Sequence, residues 1–410
     1  MKKLILLIFI INLFFFSSEK VDAATTDILV GSNEDLRKIE EQVKNIDKDA
    51  SIKSIPEIKL IRVESSINNI EDFINQDNVN SIGKLNKTEV EDIKLKIDKN
   101  AIALNKENIT WPHDMLINSN SKIKKGKGVK IGIIDTGIDQ THPLFKNRIN
   151  FNNSKNYTSN TNDLKDNNGH GTQVAGVILS IAPKSDLTIY KTLDTKDGDA
   201  FAIIKAIIDG TNNKEDILNI SLGSYENTKS KEDEITIDAY QRAVNYASEH
   251  NTTIISSVGN ENFNLDLKKK NEGIIHVPSN IPGVIGVTAI NRNKIKSSFS
   301  NIGNEVDYSA PGGDIIFNDG KLDLNQLIYT TYPTYIDNNL ESLNIKQGYI
   351  LNAGTSLATP YISGLMSNII SNDKKNILSS KYYNSVLINN SIDLGNKGRD
   401  IEYGNGLPQF

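Results

Sequence analysis

The pattern of apolar and polar positions divides the chain into three parts, and the first is a short N-terminal segment. An apolar run over residues 4–16, interrupted only by Asn12, follows Lys2 and Lys3 and gives way to polar residues 17–20. The run is shorter than the roughly 20 apolar residues that cross a bilayer, which argues against a membrane anchor. It is typical of a secretory signal peptide. We therefore expect cleavage after about Ala23, a secreted extracellular protein, and no membrane association afterwards.

Residues 24–84 have the pattern of a small α+β domain. Ser32 and Asp35 form a capping box ahead of an amphipathic stretch. The order β-α-β-β-α-β predicts a ferredoxin-like unit. Residues 85–110 then turn polar and charged, which predicts a linker or a helix that is polar nearly all round. The expected strands are residues 27–30, 51–55, 58–63 and 79–82, and the expected helices are residues 33–46 and about 70–74.

From residue 111 to residue 410, strand patterns alternate with helix patterns. Residues 129–134 are a continuous apolar strand of the kind buried in a parallel sheet. The repeated β-α units predict an α/β fold: a doubly wound parallel sheet with helices on both faces and ligands at the carboxyl ends of the strands. The further expected strands are residues 187–192, 217–220, 253–258 and 284–289, and the expected helices are residues 170–181, 200–208, 235–249 and 357–370.

Composition narrows the class of protein. The 410 residues are 38% hydrophobic and 24% charged, which is ordinary globular material for one large and one small domain. The net charge of -5 shows no basic cluster, so we expect no nucleic-acid partner. The absence of cysteine excludes disulfides and thiolate metal sites. Stability must come from the core or from bound ions, and we expect a monomer.

Three polar residues stand where catalytic groups are commonly placed. Asp135 closes an apolar strand, His170 lies between Gly169 and Gly171 at a helix start, and Ser356 begins a late helix. Taken singly, they are a turn former, a helix-capping histidine and an N-cap serine. Taken together, they supply a nucleophile, a base and a group that orients the base. Their order along the chain, Asp, His, Ser, is that of the subtilisin triad.

Residues 111–410 resemble the subtilisin family of serine proteases, and the resemblance lies in specific motifs. It implies that Ser356 is the nucleophile, His170 the base, Asp135 the residue that orients the base, and Asn260 the oxyanion donor. The chemistry then requires no cofactor. The matching segments are Asp135-Thr136-Gly137-Ile138, His170-Gly171-Thr172, Ser257-Val258-Gly259-Asn260, Ala310-Pro311-Gly312 and Gly354-Thr355-Ser356-Leu357-Ala358-Thr359-Pro360.

The same resemblance implies a substrate-binding edge at Ser221, Leu222 and Gly223, and it places His276 in the primary specificity pocket. A buried His276 would narrow or polarise that pocket, whereas a surface histidine would not.

The chain also departs from the family's motifs. Gln173 replaces a frequent second histidine, and Leu144 stands where a calcium-binding aspartate is common. No insertion follows the helix that ends near residue 181, where many relatives wrap calcium. We therefore do not expect that calcium site, and the metal ligands of any other structural calcium site stay unknown.

The resemblance gives residues 24–84 a function, that of a propeptide which inhibits its own enzyme until it is cut within residues 85–111. The enzyme itself is similar to exported peptidases that remove leaders from lantibiotic precursors, often after a basic residue. Asp194, Asp197 and Asp199 either attract that basic residue or are solvated loop charges. A broad-specificity degradative protease, a non-catalytic binder that keeps the fold and, more remotely, an esterase are the alternatives.

Overall fold

The computed structural model describes residues 23–91, 93, 95–118, 125–373 and 379–410. The expected signal peptide lies almost wholly outside these residues. The N-terminal part that is described contains β1 (Ala24–Val30), α1 (Asn33–Ile46), β2 (Ser51–Ile55), β3 (Leu60–Ser65), a 3-10 helix (Ile70–Phe73) and β4 (Val79–Gly83). Its strands form an antiparallel sheet in the order β2-β3-β1-β4, which is the ferredoxin-like arrangement.

Two predictions for this part differ from the structure. The second helix is a single 3-10 turn, in which Ile70 is buried and Phe73 is 62% exposed, because the stretch has too few periodic apolar positions for a longer helix. The expected linker, residues 85–110, is also more than a plain connection. It holds β5 (Lys87–Val90) and a 3-10 helix (Lys106–Asn108), and α2 (Trp111–Leu116) follows directly after it. Between these elements Ile93, Leu95 and Ile97 pack partly buried against the core. Their alternation with polar residues is a strand-like period that the high charge obscured.

The larger part of the chain contains a central sheet. The elements of this region are β6 (Lys130–Asp135), a 3-10 helix (Pro143–Phe145), β7 (Lys155–Asn156), α3 (His170–Ile181), β8 (Asp186–Lys191), β9 (Asp197–Asp199), α4 (Ala200–Asn212), β10 (Ile217–Ile220), β11 (Leu222–Asn227), α5 (Lys231–Glu249), β12 (Thr253–Ser257), α6 (Leu265–Glu272), β13 (Ile274–Val277), β14 (Ile285–Ile290) and β15 (Val306–Pro311). Among the described residues, seven of these strands pair in parallel in the order β15-β14-β12-β10-β6-β8-β7, as the β-α repeats predict.

The remaining elements complete the domain at its C-terminal end. They are β16 (Phe317–Asn318), β17 (Lys321–Leu322), a 3-10 helix (Leu324–Gln326), β18 (Ile328–Thr331), a 3-10 helix (Glu341–Leu343), β19 (Tyr349–Asn352), α7 (Thr355–Asn372), α8 (Ser380–Asn389), β20 (Ser391–Ile392) and β21 (Leu407–Pro408).

The two faces of the central sheet bury different cores. Successive strand residues point to opposite faces, so Ile131 and Ile133 join the core that contains α3 and α7. Ile134 lies in the core formed with α4 and α5. Leu29 and Leu60 of the N-terminal sheet belong to this second core. The N-terminal unit therefore packs on α4 and α5, beside the carboxyl ends of the central strands.

Candidate active site

Asp135 and His170 form a buried pair above the central sheet. Asp135 ends β6 and His170 begins α3. The imidazole Nδ1 lies 2.8 Å from Oδ1 and 3.0 Å from Oδ2 of the carboxylate. Asp135 is fully buried, and His170 is 1% exposed. An Nδ1–H donated to this carboxylate leaves Nε2 as the basic atom of the ring.

The start of α3 depends on a carboxylate that the sequence analysis did not identify. Asp166 is fully buried, and its Oδ1 accepts the Thr136 hydroxyl at 2.8 Å and the Gly169 N–H at 2.7 Å. Its Oδ2 accepts the Thr172 N–H at 2.9 Å. The free N–H groups of a helix start favour such an anion. An aspartate four residues before the first helical residue is the signal that could have revealed it.

Gly171 lets α3 approach the loop after Asp135. A Cβ at this position would lie 2.2 Å from the carbonyl oxygen of Gly137, a distance that no side chain tolerates. The glycine beside the histidine therefore brings the two chain segments together, which places the imidazole against Asp135.

Ser356 lies in the first turn of α7, and the helix that carries it is interrupted by Pro360. A proline has no N–H, so it cannot donate to the carbonyl four residues earlier, which is that of Ser356. The Ser221 hydroxyl donates to this carbonyl instead, at 2.9 Å. Ser221 is fully buried. Its side chain thus supports the backbone of Ser356, the expected nucleophile.

Asn260 follows β12 and is held in place by the start of α7. Its Oδ1 accepts the Thr355 N–H and the Thr355 hydroxyl, both at 2.9 Å. Its Nδ2 donates to the carbonyl oxygen of Glu91 at 2.8 Å. The Ser356 hydroxyl donates to the same oxygen at 3.0 Å. One peptide carbonyl of the chain itself therefore lies between the expected nucleophile and the expected oxyanion donor.

The segment that ends in Glu91 runs through the site as an added strand. In a four-stranded sheet of the described residues, β5 lies between β11 and β9 and is antiparallel to both. Leu222 is opposite Val90 and Gly223 is opposite Glu89, while Asp197 faces Glu89 from the other side. This strand addition is how extended peptides bind to an exposed sheet edge.

The two groups of residues expected to select the substrate have different environments. His276 is buried, and its Nε2 lies 2.5 Å from Oε1 of Glu91. The acidic residues bind cations of the chain itself: Asp194 pairs with Lys191 at 2.6 Å, Asp197 with Lys87 at 2.7 Å, and Asp199 with Arg62. None of these carboxylates is a partner of the Glu91 side chain in the described structure.

The part of the chain that the structure describes contains neither a metal-binding cluster nor a membrane-spanning helix. In residues 23–410, apart from the gaps given above, no three or more His, Asp or Glu side chains are grouped to hold a metal ion. Leu144 is 41% exposed. Across the same residues, no helix has the length and apolar character needed to cross a membrane.

The fold and the site together define a serine peptidase, with an Asp–His pair at one helix start and a serine at another. Comparison with known proteins agrees. Residues 126–406 match the model of the subtilase family, Peptidase S8. The chain belongs to this family and is a subtilisin-like serine endopeptidase that acts on peptide or protein substrates.

Several relatives carry names that concern leader peptides. The epidermin leader peptide-processing serine protease EpiP of Staphylococcus epidermidis is 28% identical over 359 residues, which are 76% of this chain and 77% of that protein. A crystal structure of a lanthipeptide protease is 36% identical, with a TM-score of 0.69 over 74% of this chain and 92% of the other. The structure of EpiP from Staphylococcus aureus is 23% identical and shares the fold, with a TM-score of 0.74 over 95% of this chain and 97% of the other.

Proposed function

We propose that this chain is an exported serine endopeptidase that removes the leader from a lantibiotic-type precursor peptide and matures by cutting itself after Glu91. The position of the Glu91 carbonyl carries the proposal, since Asn260 and Ser356 both hydrogen bond to it. The bond between Glu91 and residue 92 is then the self-cleavage bond. It lies within the interval 85–111 expected from the sequence.

The proposed chemistry follows from the site. Ser356 Oγ attacks the Glu91 carbonyl carbon while His170 takes the hydroxyl proton, and Asp135 orients the imidazole and stabilises its charged form. Asn260 holds the oxyanion. The imidazolium then protonates the departing amine of residue 92, which leaves an acyl ester on Ser356. Water hydrolyses the ester, with His170 again acting as the base.

Residues 24–91 act in this proposal as an intramolecular inhibitor. The docking contacts of the N-terminal unit support this function, because they are partly buried and charged. Arg62, with a side chain 7% exposed, pairs with Asp27 at 2.7 Å and also with Asp199 of the peptidase domain. Arg242 of α5 donates to the carbonyl of Val30 at 2.8 Å. Such contacts hold β5 in the substrate cleft until the cut N-terminal unit is released.

Leader removal is supported by the named relatives, and a narrow substrate range is supported by the closed surroundings of the Glu91 side chain. That side chain is 6% exposed. A protease of broad specificity would be expected to have a more permissive pocket. A leader peptidase cuts one bond of its precursor, whereas a degradative protease cuts many.

Expression of the full chain beside its Ser356→Ala variant tests self-cleavage. Intact-mass spectrometry of the purified wild-type protein should show a fragment that begins at residue 92, whereas Ser356→Ala should stay uncut at that bond. A variant trimmed at the same bond without another protease would overturn self-cleavage. Incubation of the mature enzyme with candidate precursor peptides tests substrate range. A single cut at the leader boundary is expected, and scattered cuts would indicate a degradative protease.

A further inference from the structure

The side chain of Glu91 occupies an enclosed pocket that ends in a histidine. The Glu91 carboxylate is 6% exposed and His276 is 1% exposed, and their nearest atoms, Oε1 and Nε2, are 2.5 Å apart. The carbonyl of this same residue is bound by Asn260 and Ser356. By position, therefore, the pocket is the one that receives the side chain on the acyl side of the scissile bond, the P1 residue.

The imidazole of His276 is held in one orientation. Its Nδ1 lies 2.7 Å from the Ser279 hydroxyl oxygen. Its ring meets the Tyr225 ring edge-on, with the centroids 5.1 Å apart. Nε2 therefore points at the P1 carboxylate. A protonated imidazole donates from both nitrogens, and these two contacts use both donors.

The wall of the pocket is shaped for this pair. A Cβ on Gly223 would lie 2.0 Å from His276 Nε2 and 2.4 Å from Glu91 Oε1. Any side chain at Gly223 would thus occupy the space where the carboxylate meets the imidazole. The depth of the pocket matches glutamate, since an aspartate carboxylate would stop one methylene short of Nε2.

Charge favours the ionised pair. Burial alone would raise the pKa of Glu91, but the charge and hydrogen bond of His276, with the hydroxyl of Ser257, outweigh it and leave the pKa below its usual value. Burial likewise lowers the pKa of His276, and Glu91 reverses that effect, so the pKa lies above its usual value. The other titratable groups that face His276 are Tyr225, Glu226, Glu261 and Glu305.

The neighbouring carboxylates have donors of their own. Glu226 accepts the Ser224 hydroxyl at 2.7 Å and Glu305 accepts the Asn280 amide at 3.1 Å. Glu261 accepts the Tyr225 hydroxyl. They favour the charged form of His276 without occupying its Nε2, which is left to bind the P1 side chain.

We propose that His276 makes the primary pocket selective for glutamate, so that this peptidase cuts after glutamate and the leader it removes ends in that residue. The inference rests on the proposed function and names its substrate class. It replaces the basic residue expected from the family resemblance, because a P1 lysine or arginine would place a second cation against an imidazolium in an enclosed pocket. A P1 glutamine would fill the space but would leave the charge of His276 unpaired.

Peptides copied from residues 87–95, Lys-Thr-Glu-Val-Glu-Asp-Ile-Lys-Leu, test the pocket. The P1 glutamate is replaced by glutamine, aspartate, arginine or leucine, and kcat/KM is measured with the self-processed wild-type enzyme. Because loss of one partner of a buried charge pair is costly, we expect glutamate to exceed glutamine by about 100-fold or more. The ratio should fall as the pH rises through the pKa of His276. Equal or better cleavage after arginine or leucine would overturn the inference.

Enzyme variants show whether His276 causes the preference for a P1 glutamate. His276→Gln should bring the glutamate-to-glutamine ratio close to one, and His142→Gln, at a buried histidine outside the pocket, should leave it unchanged. Labelling of Ser356 by a fluorophosphonate counts the intact active sites of each variant. An unchanged ratio in labelled His276→Gln would contradict the proposal. If His276→Gln cannot be labelled, Ser279→Ala, which removes the Nδ1 partner, should lower the ratio, and an unchanged ratio there would count equally against it.

Self-cleavage of the precursor provides an independent test of the pocket. Glu91→Gln and Glu91→Arg should slow self-cleavage at that bond, whereas Glu34→Gln, at an exposed residue of α1 that pairs with Lys38, should not. Failure of the glutamate preference in an enzyme that is labelled and cuts peptides would reject the pocket assignment alone. Absence of both labelling and cleavage in the wild-type enzyme would reject the proposed function itself.

Discussion

The hydroxyl of Ser221 donates to the backbone carbonyl of Ser356 at 2.9 Å, in place of the helical N–H that Pro360 cannot supply. A buried carbonyl without a donor would destabilise the first turn of α7. The contact therefore connects the expected substrate-binding edge to the backbone of the expected nucleophile. Asn219 extends it, since its Nδ2 donates to Ser221 at 3.0 Å and its Oδ1 accepts from Ser363 at 2.8 Å.

Ser221→Ala should destabilise the protein, because the Ser356 carbonyl would then be buried without a donor. We expect a loss of about 1–3 kcal/mol in the free energy of unfolding. Urea unfolding in a Ser356→Ala background, which prevents autolysis, measures it. Ser385→Ala is the matched control, because the hydroxyl of that exposed serine donates to the nearby Tyr382 carbonyl, and its effect should stay within about 0.5 kcal/mol. Equal effects of the two changes would contradict the assignment.

Asn260→Ala should lower turnover by about 10² to 10³ with little change in KM, a magnitude that comes from removal of the oxyanion donor in subtilisin itself. The reason is that Asn260 Nδ2 binds the carbonyl oxygen where negative charge develops. Steady-state kinetics on a glutamate peptide provides the measurement. Thr355→Val, which removes only one of the two donors that hold Asn260 Oδ1, should cost less. A loss confined to KM would show that Asn260 only binds substrate.

Arg62→Met should destabilise the N-terminal unit, because Asp27 is fully buried and would lose its counter-ion. Removal of one partner of a buried ion pair costs about 3–5 kcal/mol. Urea unfolding of the Ser356→Ala precursor is the measurement. Lys53→Met breaks the exposed pair with Glu64 and should cost less than about 1 kcal/mol. Equal losses of unfolding free energy in the two variants would show that the buried Arg62–Asp27 pair stabilises the protein no more than an exposed pair does.

The stability of the protein should depend on Glu215, whose pKa burial raises to about 7 although Thr188 donates to it at 2.8 Å. Because the folded-state pKa lies above the ordinary value of 4.5, this stabilising contribution is full below about pH 4.5 and is lost as the pH rises to about 7. The difference in unfolding free energy between wild type and Glu215→Gln, both in the Ser356→Ala background, should therefore change by a few kcal/mol over that range. The exposed control Glu272→Gln should show no such trend.

The sequence predicted the elements of the peptidase domain closely, because their signals are local. The strand at residues 217–220 and the helix at residues 170–181 have the predicted bounds. The helix expected to begin at residue 235 begins instead at Lys231, after Ser230 accepts the Glu232 N–H. Charged residues in a first turn carry no apolar period, so a search for periodicity starts such a helix too late.

The identity of the substrate pocket could not be predicted in the same way. His276 and Glu91 are 185 residues apart and belong to β13 and to the end of the segment that begins with β5. The polar character of residues 85–110 predicted a linker, but the strand partners of β5 within it are β11 and β9, far along the chain. Strand addition is decided by free edges elsewhere in the fold, and a local pattern carries no information about them.

The sequence by itself determined the parallel α/β architecture and the motifs that carry Asp135, His170, Asn260 and Ser356. Both are local signals, because periodicity and glycine-flanked motifs involve residues that are neighbours along the chain. Only the tertiary structure decided which peptide carbonyl lies between Asn260 and Ser356, and which side chain faces His276. Those relations depend on where distant segments meet. Selectivity between an acidic and a basic P1 residue depends on such long-range contacts, because it is set by the charges that folding buries within a few ångströms of each other.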